Sequence, residues 1–213
     1  MNETLQELKN GIKHIFYIYS HPFDGFWIMK HEKKGNMKTA FLIFLLLIIT
    51  TTYRILGSAY LFTSPTLAKF SVGALVLAVA VLVALYCVAN WALTTLWEGS
   101  GSIKDIFMVL MYSLTPLVIV NVPLTLLTHI IVLDEAVFYS LINTITVIWM
   151  VFLILAGNLS IHEYTMTKSV ITTIVTVAAM IGIGVLFILL FNLAQEVFMW
   201  FKSVAEELIL RLV

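Results

Sequence analysis

The chain has 213 residues, of which 61% are hydrophobic and 11% charged, and its mean hydropathy is +1.03. Ordinary soluble domains carry about 25% charged residues, so one water-soluble domain of this length could not hide so much apolar surface. The formal charge of zero gives no electrostatic support to a nucleic-acid partner or an acidic substrate, and the single cysteine, Cys87, excludes an internal disulfide and any CxxC pattern.

In residues 3–20, Leu5, Leu8, Ile12, Ile15, Phe16 and Tyr19 recur at spacings of three and four, which predicts an amphipathic helix. The first 38 residues are polar and mixed, with no basic start leading into an apolar core and a small-residue cleavage site. A signal peptide is therefore not expected; the first span inserts and stays attached.

The next segment, HPFDGFWIMKHEKKG at 21–35, is the most distinctive polar stretch. Pro22 biases His21 toward extended backbone, and Asp24 followed by Gly25 reads as a turn. Phe23, Phe26, Trp27, Ile28 and Met29 suit the headgroup layer, with the lysines on lipid phosphates. His21, Asp24, His31 and Glu32 are metal-ligating types, but their spacing matches no HExxH-like signature, so the expected role is a re-entrant or surface-lying segment.

From Thr39 to Tyr53 the chain is uncharged, and Arg54 then interrupts, able to snorkel to an interface. Four later windows, 70–97, 106–133, 136–162 and 169–195, contain no Asp, Glu, Lys or Arg. A helix of about 20 residues crosses the hydrocarbon core, so each window holds one span. The predicted fold is an all-α polytopic transmembrane bundle with five spans at about 38–57, 71–96, 105–131, 137–158 and 170–192. Residues 1–37 form an interfacial segment, 38–192 the five-helix domain, and 193–213 an amphipathic C-terminal helix, with Pro65 in the loop after span one. That tail, with Leu193, Val197, Trp200, Phe201, Val204, Leu208 and Leu210 opposite Glu196, Lys202, Glu206 and Glu207, either lies on the bilayer or extends span five.

Lys9, Lys13, Lys30, Lys33, Lys34, Lys38, Lys104 and Lys168 fall on one side, against Arg54, Lys69, Lys202 and Arg211 on the other. The excess predicts a cytoplasmic N-terminus and, with an odd number of spans, an external C-terminus.

The hinge WEGSGSIKD, 97–105, joins spans two and three. Trp91 and Trp97 suit interface anchors, Gly99 and Gly101 let the backbone turn sharply, and Ser102 with Asp105 forms the S-x-x-D pattern of a capping box. Glu98 and Asp105 are two carboxylates without the buried pocket that acid/base pairing needs, and GSG lacks the lysine of a phosphate loop. In span three Pro116 and Pro123 flank Asn121; prolines interrupt helical bonding, and broken helices line transporter sites. Asn143 and Asn158, with Asn90 and Asn192, add polar positions, and Tyr53 with Arg54 makes a candidate buried pair. No acid lies mid-span, which argues against an ion-coupled pump. Gly182 and Gly184 permit close helix approach in span five. His162, Glu163 and Tyr164 fall in a loop without the second histidine of a zinc protease, and His129 reads as a helix-end residue.

HPFDGFWIMKHEKKGN before span one, Tyr53-Arg54 at its end, LTTLWEGSGSIKDI after span two and MYSLTPLVI in span three resemble, in their order and spacing, the bacterial branch of the Yip1 domain family. The resemblance covers roughly residues 15–195, and His21, Pro22, Glu98, Gly99, Gly101, Tyr112 and Pro116 are the family-like positions. It implies five membrane helices and a cytoplasmic N-terminus. Eukaryotic relatives work in vesicle trafficking with small GTPases; the long polar N-terminal domain of such relatives has no counterpart here, so GTPase binding is not expected. No catalytic residue is carried over.

The expected function is non-enzymatic and needs neither cofactor nor metal. The chain would be a scaffold or accessory protein, in a bacterial cell membrane, that recruits or stabilises another membrane protein, self-associates or organises lipid. His21, Pro22, Phe23, Asp24, Gly25, Phe26 and Trp27 with Glu98, Gly99, Gly101 and Asp105 would form its contact face. The alternative is a transporter-like subunit with a small polar cavity among Tyr53, Arg54, Tyr112, Pro116, Asn121, Pro123, Asn143 and Asn158. A membrane enzyme ranks third.

Overall fold

The computed structural model describes residues 2–32, 34–62 and 71–212. The expectations placed on Lys33, Pro65 and Lys69 lie outside the described residues, as do the side chains of Leu5, Val204, Glu206, Leu208, Leu210 and Arg211. Among the described residues there are seven α-helices and no strand: α1 Asn2–Ser20, α2 Pro22–His31, α3 Met37–Gly57, α4 Val72–Leu96, α5 Ile103–Leu127, α6 Ala136–His162 and α7 Met166–Leu212. Helices α3 to α7 are each long and apolar enough to cross a bilayer.

Helix α5 is the hub. In its apolar window 61% of residues are buried inside the protein, against 6% in α7. Helices α3 and α6 pack along α5, α4 packs on α5 and α3, and α7 lies on α4 and α6. The shared core is built from Ile43 and Leu47 of α3, Val83 and Tyr86 of α4, Ile106 to Tyr112 of α5, and Leu153 and Ala156 of α6. The outward faces, such as Phe41, Leu77 and Ile148, stay exposed, as a lipid solvent requires.

Helix α5 passes through both of its prolines. Pro116 has no N–H for the carbonyl of Tyr112, four residues earlier. The Thr115 hydroxyl donates to that carbonyl instead, at 2.9 Å. The loss is repaired locally and no opening in the helix results. At its far end α5 stops at Leu127, short of the expected 131, because the N–H groups of Thr128, His129 and Ile130 bond back three residues and tighten the turn.

At the other end α6 runs past the expected 158 to His162, whose final turn is buried against its neighbours. The tail is no separate segment: α7 continues without a break to Leu212, consistent with the absence of any Gly or Pro after Gly184. Among the described residues Gly182 and Gly184 do not mediate close packing, since a Cβ at either would meet nothing within 4 Å.

Helix α1 forms, but its buried face is displaced from the expected stripe: Gly11, Ile15 and Ile18 are buried, whereas Ile12 and Phe16 are exposed. Asp24 and Gly25 do not form a turn. Pro22 occupies the first position of α2, where its missing N–H costs nothing, and Asp24 sits in the first turn, where the helix dipole favours an acid. Gly25 is instead a crossing point: a Cβ there would lie 2.7 Å from Ile18 Cγ1 and 3.0 Å from Ile18 Cα. Glycine lets α2 fold back closely onto α1.

Candidate functional site

One end of the bundle gathers α1, α2, the α4–α5 hinge and the α6–α7 turn. The joint is made by Lys30, near the end of α2. Its ammonium group donates to Ser100 Oγ of the hinge, to the Ile161 carbonyl at 2.8 Å and to Glu163 Oε1 at 3.0 Å. All three donors of the ammonium are therefore used. The Ile161 carbonyl is among the last four of α6, which have no intrahelical partner, and the C-terminal end of a helix favours a cation. Lys168 does the same for α4, donating to the carbonyl of its C-cap residue Trp97 at 2.8 Å, beside the Tyr164 hydroxyl at 3.1 Å. Two lysines thus close two helix ends that the sequence leaves open.

The hinge fits against His162. Ser100 donates to the Ile161 carbonyl at 3.2 Å, and the Gly101 N–H donates to His162 Nδ1 at 3.3 Å. The imidazole is 2% exposed and stacks on Tyr164, with ring centroids 5.3 Å apart. The sharp backbone bend belongs to Glu98, at φ 56°; Gly99 and Gly101 have no positive φ. Their expected role as turn residues is corrected to one of access. A Cβ on Gly99 would lie 2.6 Å from His162 Nδ1, and one on Gly101 2.7 Å from His162 Cε1. The capping box is present as its spacing requires, with the Ser102 N–H donating to Asp105 Oδ2 at 3.0 Å and the Asp105 N–H donating to Ser102 Oγ at 3.3 Å. Asp105 is thereby committed to starting α5.

The 21–27 segment divides between two roles. Phe26 is wholly buried, with Met29 beside it in the core, so these two do not seat in a headgroup layer. Phe23 and Trp27 face outward at 38% and 49% exposure. Phe23 meets Phe152 edge-on at 5.9 Å, and Trp27 stacks on His31 at 4.5 Å. His21 is the N-cap residue of α2, at φ −136° and ψ 72°, short of the expected extended backbone and without a side-chain cap, and Asp24 and Glu98 are exposed. Among the described residues no group of three His, Cys, Asp or Glu side chains is placed to hold a metal.

The polar residues expected to share a cavity are spread over both ends. Arg54 donates to Asn121 Oδ1 and to the Tyr139 hydroxyl, each at 3.1 Å, at the end away from α2. Its partners are these two residues and not its neighbour Tyr53, which is exposed. Tyr112 is buried in the half of α5 nearer α1, Pro123 is exposed and Asn143 half-buried. Asn158 donates to the Tyr86 hydroxyl and to Thr173 Oγ1, each at 3.1 Å, while Asn90 donates to Thr176 Oγ1 at 3.3 Å. These amides tie α4, α6 and α7 together, as asparagine does inside membranes.

Sequence reasoning missed Lys30, Glu163, Tyr164 and Lys168 as a working set, because a helix-end lysine is indistinguishable from a solvated one until its acceptor is known. His14 of α1 was also missed. Its Nε2–H donates to the Gly25 carbonyl at 3.1 Å, joining α1 to α2. Burial holds the imidazole below its usual 6.5; the Gly25 carbonyl opposes this and Lys34 adds to it. Glu163 is held below 4.5 by its hydrogen bond to Lys30 and by the charge of that lysine.

Both depressed values give stability that is complete above the unfolded pKa and lost as pH falls through the folded one. Acidification below about 6.5 is thus expected to loosen the α1–α2 crossing first, and below about 4.5 to weaken the Lys30 bridge. Thermal midpoints of the detergent-solubilised chain across this range check it. His14→Gln should flatten the upper part of the profile, and an unchanged upper part would remove His14 from the account.

A model of the Yip1 domain matches residues 16–189. The match begins at the end of α1, takes in α2, the hinge and the α6–α7 turn, and ends within α7. No curated protein and no solved structure gives a match. A match over most of the chain, on a bundle of five helices able to cross a bilayer, establishes an integral multi-pass membrane protein, and the chain belongs to the Yip1 domain family.

Proposed function

We propose that the protein is a non-enzymatic membrane scaffold whose working surface is the bundle end formed by α2, the hinge and the α6–α7 turn, facing the cytoplasm of a bacterial cell. The observation that carries this reading is the Lys30 joint. It fixes α2 to two loops at once through Ser100, Ile161 and Glu163. Exposed aromatic groups are then held on a rigid base: Phe23 and Trp27 stand outward, with Asp24, Glu98 and Glu163 exposed beside them. Rigid aromatic anchors beside charge are what a protein partner engages at low entropic cost. Eight of the twelve basic residues fall on this side in the five-span topology, which supports its cytoplasmic placement.

The test is photo-crosslinking from position 27 in native membranes, followed by identification of what is captured. A stoichiometric membrane protein, lost with Glu98→Lys, is the expected result. Capture of lipid alone, with the chain running as a lone monomer, would overturn the reading. The transporter alternative draws on Arg54, Asn121 and the buried amides, but each of these is bonded to a neighbouring helix.

A further inference from the structure

A cleft of about 980 Å³ opens between α1, the α2–α3 connection and the first turn of α3, where the chain enters its first span. Lys13 comes to it from α1, Lys34 from the connection and Lys38 from α3, while Tyr17 and Met37 supply apolar wall. One acid, Glu7, lines it and pairs with Lys38 at 2.7 Å. Lys34 pairs with Glu32, which does not line the cleft. Lys13 has no acidic partner among the described residues.

The cleft also lies at the N-terminus of α3. The first turn of that helix contains no acid and instead carries Lys38. A lysine there opposes the helix dipole. Asn36 Oδ1 caps this helix end by accepting the Lys38 N–H at 2.9 Å, and an anion in the cleft would add to that cap while neutralising the lysines. The volume suits a small polar group with part of an apolar tail. Below the cleft, Met37, Phe41 and Leu45 of α3 are 44%, 55% and 43% exposed and form an apolar track into the bilayer.

We propose that the cleft binds the phosphate of an anionic glycerophospholipid, held by Lys13, Lys34 and Lys38 at the start of α3, with its acyl chains along the outer face of that helix. The inference rests on the reading that α1 and α2 lie at the membrane surface. It does not require the protein partner proposed above.

The test uses the purified full-length chain in nanodiscs of equal parts phosphatidylglycerol and phosphatidylcholine, transferred to mild detergent, with retained lipid read by native mass spectrometry. Phosphatidylglycerol should be enriched, and Lys13→Gln and Lys34→Gln should each lower the enrichment about fivefold, the effect of one lysine near an anionic surface. Lys104→Gln, an exposed lysine outside the cleft, should leave it unchanged. Equal retention of the two lipids, or an equal drop with Lys104→Gln, would overturn the site. Should a variant fail to fold, the wild-type chain is tested with a photoactivatable phosphatidylglycerol, expected to label residues 37–45; labelling elsewhere overturns the proposal. Release of the lipid by millimolar inorganic phosphate would overturn the lipid as ligand in favour of a soluble phosphate. Because no partner is present, failure here leaves the crosslinking result of the scaffold reading standing, and the converse holds.

Discussion

Phe26→Ala is expected to destabilise the packing of α2 by about 3–5 kcal/mol, the range for emptying a fully buried aromatic site. The ring is 0% exposed. It sits where α2 lies on α6, close enough that a Cβ on Gly157 would be 3.5 Å from its Cζ. The same absent Cβ lets Val109 of α5 close over Gly157. Phe26 therefore fills a place where three helices meet, and glycine at 157 makes the room. Hydrogen exchange over residues 22–31 should rise strongly, with a lower unfolding midpoint in denaturant titration of the detergent-solubilised chain. Phe26→Leu keeps most of the volume and should cost less than about 1.5 kcal/mol. If alanine and leucine behaved alike, with α2 still protected, α2 would not be seated by this ring.

Lys30→Met comes next, at about 2–3 kcal/mol, since three hydrogen bonds from a charged donor are lost and the helix-end carbonyl of Ile161 keeps only the longer bond from Ser100. The lysine side chain is only 16% exposed, whereas Glu163 is 60% exposed. An exposed ion-pair partner contributes little, so Glu163→Gln should cost only a small fraction of what Lys30→Met does. The contrast separates two accounts of the joint. If Lys30 acts by capping α6 and holding Ser100, its loss is several times the larger. Equal losses would make the joint an ordinary surface ion pair. Protease cleavage between residues 98 and 103 is the companion readout, and should accelerate in Lys30→Met alone.

Four of the five spans were legible because a charge-free run of 27 or 28 residues has few alternatives in a chain this apolar, and the first from the shorter run that Arg54 ends. Their starts were legible where local chemistry sets them, as at Ser102 and Asp105. Their ends were less so. Helix α5 stops when three N–H groups turn back on its last carbonyls, while α6 continues to His162 because the hinge packs around that turn. The Asp24-Gly25 pair has the composition of a turn, yet the closeness of Ile18 requires glycine inside a helix. At the hinge, the glycines were recognisable, but their reason was not. The bend falls on Glu98, and the glycines make way for His162, sixty residues along the chain.

By itself, the sequence determined that the chain is an all-α membrane protein with five spans, an amphipathic lead-in and a capped hinge. Those properties follow from hydropathy and from bonds between residues a few positions apart. Only the tertiary structure decided that α5 is central, that Lys30 and Lys168 close the ends of α6 and α4, that Arg54 turns to Asn121 and Tyr139, and that three lysines from separate elements surround one cleft. A hydrogen-bond donor, a cation or a glycine has the same local signature whatever it meets. Its role is set by the acceptor, helix end or side chain that packing brings within a few ångströms from a distant part of the chain.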